Sequence, residues 1–460
     1  MQASGEAHNV RQRRGALGVA SAMLAATWVA TAGAERVAPS SDTAVDDDTP
    51  GRTEVSLASS PAGTFLAEHG IGLEAYYTFE AFGNVHGGQR RGEALLGDVD
   101  LLLTLDLETL VGWRGAEVFL YGLGLHGEPP SALVGDAQGV SNIEAPPEWK
   151  LFEAWLEQSM LDDRLSVLVG LYDVNSEFDV IPAASLFAHS SPGMGADIGT
   201  WGRNGPSSFP ATSLAARVEL RARDDLYLRF VVADGVPGDP DDPTGALVRF
   251  NDGDGVLLVG EVGLFSLPPK QERGRRRHEI EELDSGEIIP GHFGKIALGV
   301  WGSTTELDDY VRVVPGGAPF TRRGSHGAYL LAERWVYYEP DAPVEGLALY
   351  GRLGIADRAT TRVDGYVGVG AVYRGLVRGR SDDLMGLSVA AAHVGRDFRR
   401  ALRRDGVPTE PWEVAIEWTY RARLLPWLTI QPSVHYVVDP ALGPRVRDAV
   451  AVAGRVIIGL

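Results

Sequence analysis

Cysteine is absent from the 460 residues, so neither a disulfide nor a thiolate metal site is open to this chain. Past the N-terminus no run approaches the about 20 apolar residues that a membrane helix needs, which excludes a helical membrane protein. Positive charge is scarce: 42 Lys and Arg stand against 62 Asp and Glu, a net −20. A nucleic-acid partner is therefore excluded, because phosphate binding requires a basic surface. The motifs of common reactions are missing as well, with no G-x-S-x-G elbow, no H-E-x-x-H and no P-loop. No catalytic residue, metal or cofactor is expected. Asn251-Asp252-Gly253-Asp254-Gly255 has the outline of a calcium loop without its downstream Glu and is read as a polar turn.

What the chain does have is 57 Gly, 14 Tyr, 10 Trp and 44% apolar residues arranged in a particular order. Arg11, Arg13 and Arg14 precede an apolar stretch from Ala16 to Ala30, and Ala32-Gly33-Ala34 supplies the small residues of a cleavage site. Residues 1–34 therefore read as a secretory signal peptide. Residues 35–69, with Asp46-Asp47-Asp48 and scattered Pro, read as a polar leader. From Ile71 onward the pattern is alternation with period two, the mark of strands with one apolar and one polar face. Trp412, Val414, Ile416, Trp418 and Tyr420 alternate with Glu413, Ala415, Glu417, Thr419 and Arg421. Leu214, Ala216, Val218 and Leu220 likewise oppose Arg217, Glu219 and Arg221.

There are about sixteen such segments, each near the about ten residues that cross a bilayer as a tilted strand. They fall near 71–82, 95–107, 116–126, 149–159, 164–172, 212–222, 225–234, 255–266, 292–302, 326–339, 345–357, 365–374, 385–394, 411–421, 427–438 and 448–460. An even count suits a closed antiparallel barrel. Connections also alternate in length, as short periplasmic turns and longer outer loops do in bacterial barrels. The short ones are 108–115, 159–163, 223–224, 340–344, 375–384 and 422–426; the long ones are 83–94, 127–148, 173–211, 235–254, 303–325 and 395–410. The charged segment 267–291 breaks this rule, being long on the side of the short turns. A single alternating segment equally fits a soluble sandwich, but polar faces repeated from end to end do not fit a shared apolar core. The fold expected for 70–460 is all-β, a transmembrane antiparallel barrel in the bacterial outer membrane. Trp335, Tyr337, Tyr338, Trp412 and Trp427 are expected in its interfacial aromatic girdles.

Several stretches resemble the carbohydrate-selective porin family, OprB. They are Gly139-Val140-Ser141-Asn142-Ile143-Glu144-Ala145, Glu153 to Gln158, Gly170 to Phe178, Tyr366 to Leu376, Gly379-Arg380-Ser381-Asp382-Asp383, and Leu425 to Pro432 followed by Tyr436 and Asp439-Pro440. Similarity runs in the family's order from about Ile71 to Leu460, and its motifs are specific together rather than singly. The charged stretch Arg273 to Glu287 and the final Leu460, where such barrels usually end on an aromatic residue, depart from the pattern. The resemblance implies passive diffusion of glucose-like sugars through a sixteen-stranded barrel. Sugars would then be the permeants, and outer-membrane lipid and the outer-membrane assembly machinery the partners.

A sugar is neutral and rich in hydroxyls, so its path calls for mixed donors and acceptors beside aromatic surface. The inward faces supply both signs: Arg217, Arg221, Arg229, Lys295, Arg352 and Arg421 against Glu74, Glu80, Asp98, Asp106, Glu219, Glu413 and Glu417. Any one of these charges also fits a plain solvated wall. The segment 173–211, at about 39 residues far longer than a hairpin connection, is the candidate constriction loop. It carries Asn175, Glu177, Asp179, His189, Trp201 and Arg203. By the family motif, Gln138, Asn142 and Glu144 are added. The substrate path is thus expected to involve Asn142, Glu144, Asn175, Glu177, Trp201, Arg203, Arg217, Arg352 and Glu417. A general or anion-preferring pore is the alternative within the class; an adhesin or a barrel enzyme is the alternative outside it.

Overall fold

The computed structural model describes residues 61–239, 248, 251–266, 294–315, 317–407, 409–440 and 446–459. The expected signal peptide, most of the leader and the charged segment 267–291 lie outside the described residues. The strands are β1 (Ile71–Gly88), β2 (Gly92–Asp106), β3 (Ala116–Gly127), β4 (Glu148–Met160), β5 (Leu165–Tyr172), β6 (Ser213–Arg223), β7 (Leu226–Asp234), β8 (Val256–Ser266) and β9 (Gly294–Ser303). They continue as β10 (Glu306–Val313), β11 (Pro319–Arg323), β12 (His326–Glu339), β13 (Ala342–Ala356), β14 (Val363–Arg374), β15 (Leu384–Val394), β16 (Trp412–Leu425), β17 (Leu428–Val438) and β18 (Arg447–Gly459). All but β10 and β11 form one closed antiparallel barrel of 16 strands, each beside its neighbour in the chain. β18 returns to pair with β1, Gly459 facing Tyr76 and Ile457 facing Thr78. Closure leaves no strand edge, which is what a bilayer demands of backbone N–H and C=O groups.

All sixteen expected segments are strands of this barrel. Ser266 pairs with Gly294, so the register survives on both sides of the 267–291 segment. Two structures inside outer loops were not legible. The 303–325 loop contains the β10–β11 hairpin, a separate two-stranded sheet, and the 395–410 loop contains the helix Arg396–Arg404. In the region read as leader, Pro61–Glu68 is a helix packed on β1.

The alternation reads directly as inside and outside. Val300 (56% exposed), Ile355 (66%) and Leu298 (50%) are bare on the outer face, while Glu417 (1%), Arg217 (2%) and Glu80 (1%) point inward. A polar outer surface would be the soluble arrangement; this one is inverted, so the solvent outside is lipid. Trp412 (43%) and Tyr337 (46%) sit on that face as expected of a girdle. Trp335 does not. It shares the inward register of Glu333 and is buried in the interior cluster at 2% exposure, a correction to its expected place. Asp106, in the same register as the buried Asp98 and Asp100, ends β2 and caps the turn Leu107–Val111, accepting from the N–H of Glu108 at 2.9 Å.

Inward glycines give aromatic rings room to lie across the next strand. A Cβ on Gly299 of β9 would stand 2.0 Å from Tyr329 of β12, and one on Gly370 of β14 would stand 2.4 Å from Tyr350 of β13. The tyrosine covers the gap left by the missing side chain, which couples neighbouring strands.

Candidate permeation site

The chain leaves β5 at Tyr172 and does not return directly to β6. Asp173 accepts from the N–H of Asn175 at 2.7 Å, opening a short 3₁₀ turn, and Asp179 with φ +61° redirects the backbone. The segment 173–212 then folds into the barrel. A loop inside a wall has no water for its backbone groups, so the wall must supply partners. It does so from strand after strand. Arg229 donates to the carbonyl of Glu177 at 2.8 Å and Lys295 to that of Val180 at 2.9 Å. Glu261 accepts from the N–H of Asp179 at 3.0 Å, and Glu333 from that of Ala183 at 2.8 Å. Glu417 takes the N–H groups of Ala188 and His189, both at 2.9 Å. Gln431 donates to Leu186 at 2.7 Å and Tyr366 to Ser191 at 2.9 Å.

Two arginines hold the loop by its side chains. Arg217 binds Glu177 through both carboxylate oxygens, at 2.7 and 2.6 Å, and reaches Glu157 at 3.2 Å. Arg352 binds both oxygens of Asp179, at 2.7 and 2.8 Å, and Asp197 at 2.6 Å. Its guanidinium lies over the rings of Tyr329 and Tyr366, 5.3 and 5.0 Å from their centres. Charged bonds of this kind are strong only where every partner is matched. Burial moves the loop groups accordingly. Desolvation lifts the Asp179 carboxyl to about 6 despite Arg352. At Glu177 desolvation is outweighed by Arg217 and Arg229, which hold it below the ordinary carboxylate range. Desolvation alone pushes His189 down to about 4.

The loop between β3 and β4 also turns inward and locks onto the first. Asn142 donates its N–H to the carbonyl of Ala188 at 2.7 Å, and Ser190 donates to Gly139 at 3.0 Å. Glu413 accepts from the N–H of Ala137 and from the side chain of Gln138. Arg455 of β18 joins Glu80 at 2.6 Å to the side-chain amide oxygen Oδ1 of Asn142 at 2.8 Å.

The candidates are therefore divided. Glu177 with Arg217, Arg352, and Glu417 are brought together as anchors of the first loop. Asn142 is exposed at the meeting of the two loops, and Asn175 is half-buried, donating to Phe178 at 3.1 Å. Glu144 bonds the N–H of Ser131 within its own loop at 3.0 Å, and burial raises it to about 7. Arg203 ties the loop to Asp254 at 3.2 Å. Trp201 is fully buried against Trp301, ring centres 5.6 Å apart, and presents no surface to a permeant. Sequence reasoning missed Asp197, Glu261, Glu333, Gln431 and Arg455. The strand residues among them had a signal, since each lies on the inward register of its strand; Asp197 had none.

A barrel that is apolar outside, polar inside and narrowed by an inward loop defines an outer-membrane porin. The family model described as "Carbohydrate-selective porin, OprB family" matches residues 90–460, and the chain belongs to that family. It is similar to Porin B of Pseudomonas aeruginosa, 26% identical over 420 residues covering 85% of this chain and 87% of that one. Its fold is that of Pseudomonas putida OprB: the high-pH structure matches with TM-score 0.75 and 22% identity over 87% of this chain and 96% of the other. The low-pH structure of the same protein matches with TM-score 0.53 and 18% identity over 86% and 95%. The chain is accordingly a porin of the bacterial outer membrane.

Proposed function

We propose that this porin passes glucose-like sugars by diffusion through the space left beside its two interlocked loops, without catalysis. One observation carries the choice of a neutral permeant: the inward cations already have partners. Arg217 binds Glu157 and Glu177, Arg221 and Arg229 bind Glu219, Lys295 binds a carbonyl, Arg352 binds two aspartates and Arg455 binds Glu80. An anion-preferring pore would need such cations bare toward the lumen. Neutral polar groups are among those the loops leave accessible: Asn142 and Ser185 are exposed, and Asn175 is half-buried. These groups match a sugar's hydroxyls. Outer-membrane lipid surrounds the barrel in this reading, and the outer-membrane assembly machinery inserts it.

Planar-bilayer recording with glucose titration tests the proposal. Small channels whose ion current falls as glucose is added are expected. Channels indifferent to glucose, with a reversal potential set by anions in a salt gradient, would replace it by the anion-pore reading. Ligand binding without conductance would replace it by an adhesin.

A further inference from the structure

The helix Arg396–Arg404 is a basic ridge on the outer rim of an acidic protein. Its residues sort by face. At the helical advance of about 100° per residue, Arg396, Arg400 and Arg403 fall on one stripe with Arg399 and Arg404 at its edges. Phe398, Ala401 and Leu402 fall on the other, and Phe398 packs on Tyr310 of β10 with ring centres 5.0 Å apart. The hairpin thus holds the apolar face, and the arginine face is turned away from it. Arg396, Arg400 and Arg403 are exposed. Asp397 is the helix's own carboxylate beside this face. It is shared between Arg358 at 3.4 Å and Arg400 at 3.9 Å, and among the described residues Arg396 and Arg403 form no ion pair.

Position decides which anion this ridge meets. The Arg396 N–H donates to Asp364 at 3.4 Å, and Asp364 contacts His393 at 2.5 Å. His393 in turn lies edge-on to Trp412, ring centres 4.8 Å apart. His393 and Trp412 are one residue off the inward positions Ala392 (1% exposed) and Glu413 (0%), which puts both on the lipid face. The helix thus begins where the outer aromatic girdle ends, at the height of the headgroups.

We propose that this arginine stripe docks the phosphate-bearing glycolipid of the outer leaflet, its guanidinium groups pairing with lipid A phosphates. Each basic residue near an anionic surface adds to the attraction, so removing three weakens binding about a hundredfold.

The test compares the detergent-folded wild type with Arg396→Gln/Arg400→Gln/Arg403→Gln, titrated with lipid A and with dephosphorylated lipid A. Arg164→Gln, at the opposite rim and 57% exposed, is the control. The expected result is phosphate-dependent binding lost in the triple variant and kept in the control, with the barrel intact by its heat-modifiable gel migration. Equal binding of both lipids overturns the proposal, and so does undiminished binding by the triple variant. A third overturning result is a triple variant that binds lipid A normally but slows uptake of a sugar acid, because the stripe would then steer permeants.

Discussion

The wall of this porin and the loop that narrows it satisfy their backbones in opposite ways. In the wall, every strand bonds to its two neighbours and its side chains are left free to alternate between lipid and lumen. In the loop 173–212, carbonyls and N–H groups are matched by wall side chains: Glu261, Glu333 and Glu417 accept, while Arg229, Lys295, Gln431 and Tyr366 donate. The wall is held by a repeating backbone pattern, so a single side-chain change costs stability without opening the barrel. The loop is held by single residues, so one change can release it.

That contrast can be broken most sharply at Arg352. Arg352→Met leaves Asp179 and Asp197 buried without their cation, a loss of about 3–5 kcal/mol from loop docking. Single-channel conductance and the size limit in liposome swelling should rise, while the folded barrel persists on gels. An unchanged conductance would mean that the backbone contacts alone hold the loop. On the outside, Leu298→Arg puts a charge into lipid and should cost about 2–4 kcal/mol if near the midplane, read as a lower unfolding temperature with unchanged conductance. Gly299→Ala forces Tyr329 off its neighbour and should cost about 1–3 kcal/mol in the wall. Because Tyr329 also carries the Arg352 guanidinium, this variant should shift conductance slightly as well as stability.

The smallest effect is set by pH. His189 has its pKa pushed from 6.5 down to about 4 in the docked loop, so docking resists its protonation. Its contribution is present above 6.5 and lost as pH falls toward 4. Asp179, lifted to about 6, acts in the other direction: its contribution is present below 3.8 and lost as pH rises through 6. His189→Gln removes the first and leaves the second. The difference in conductance between wild type and variant should therefore grow from pH 6.5 to 4, with the wild type more open at the acid end. A constant difference would show that His189 stays neutral for another reason.

Most of the barrel was legible because a strand's periodicity is local: Trp412 to Arg421 declares its two faces without reference to any other strand. Closure and loop asymmetry followed from counting. Trp335 was misplaced because aromatic character alone does not say which face a residue occupies, whereas its spacing from Glu333 does. The site was legible only in its ingredients. Arg217, Arg352 and Glu417 were recognisable as inward charges, and the length of 173–211 marked the loop. That Asp197 meets Arg352, that Arg455 reaches Asn142, and that Trp201 is sealed against Trp301 depend on contacts between residues 100 and more positions apart.

The sequence by itself determined the architecture, since period-two alternation and closure in lipid leave one solution for strands of this length and number. The tertiary structure alone decided the bore. A loop becomes a constriction only when distant strands bring matching donors and acceptors to its backbone, and no local pattern encodes which ones will meet.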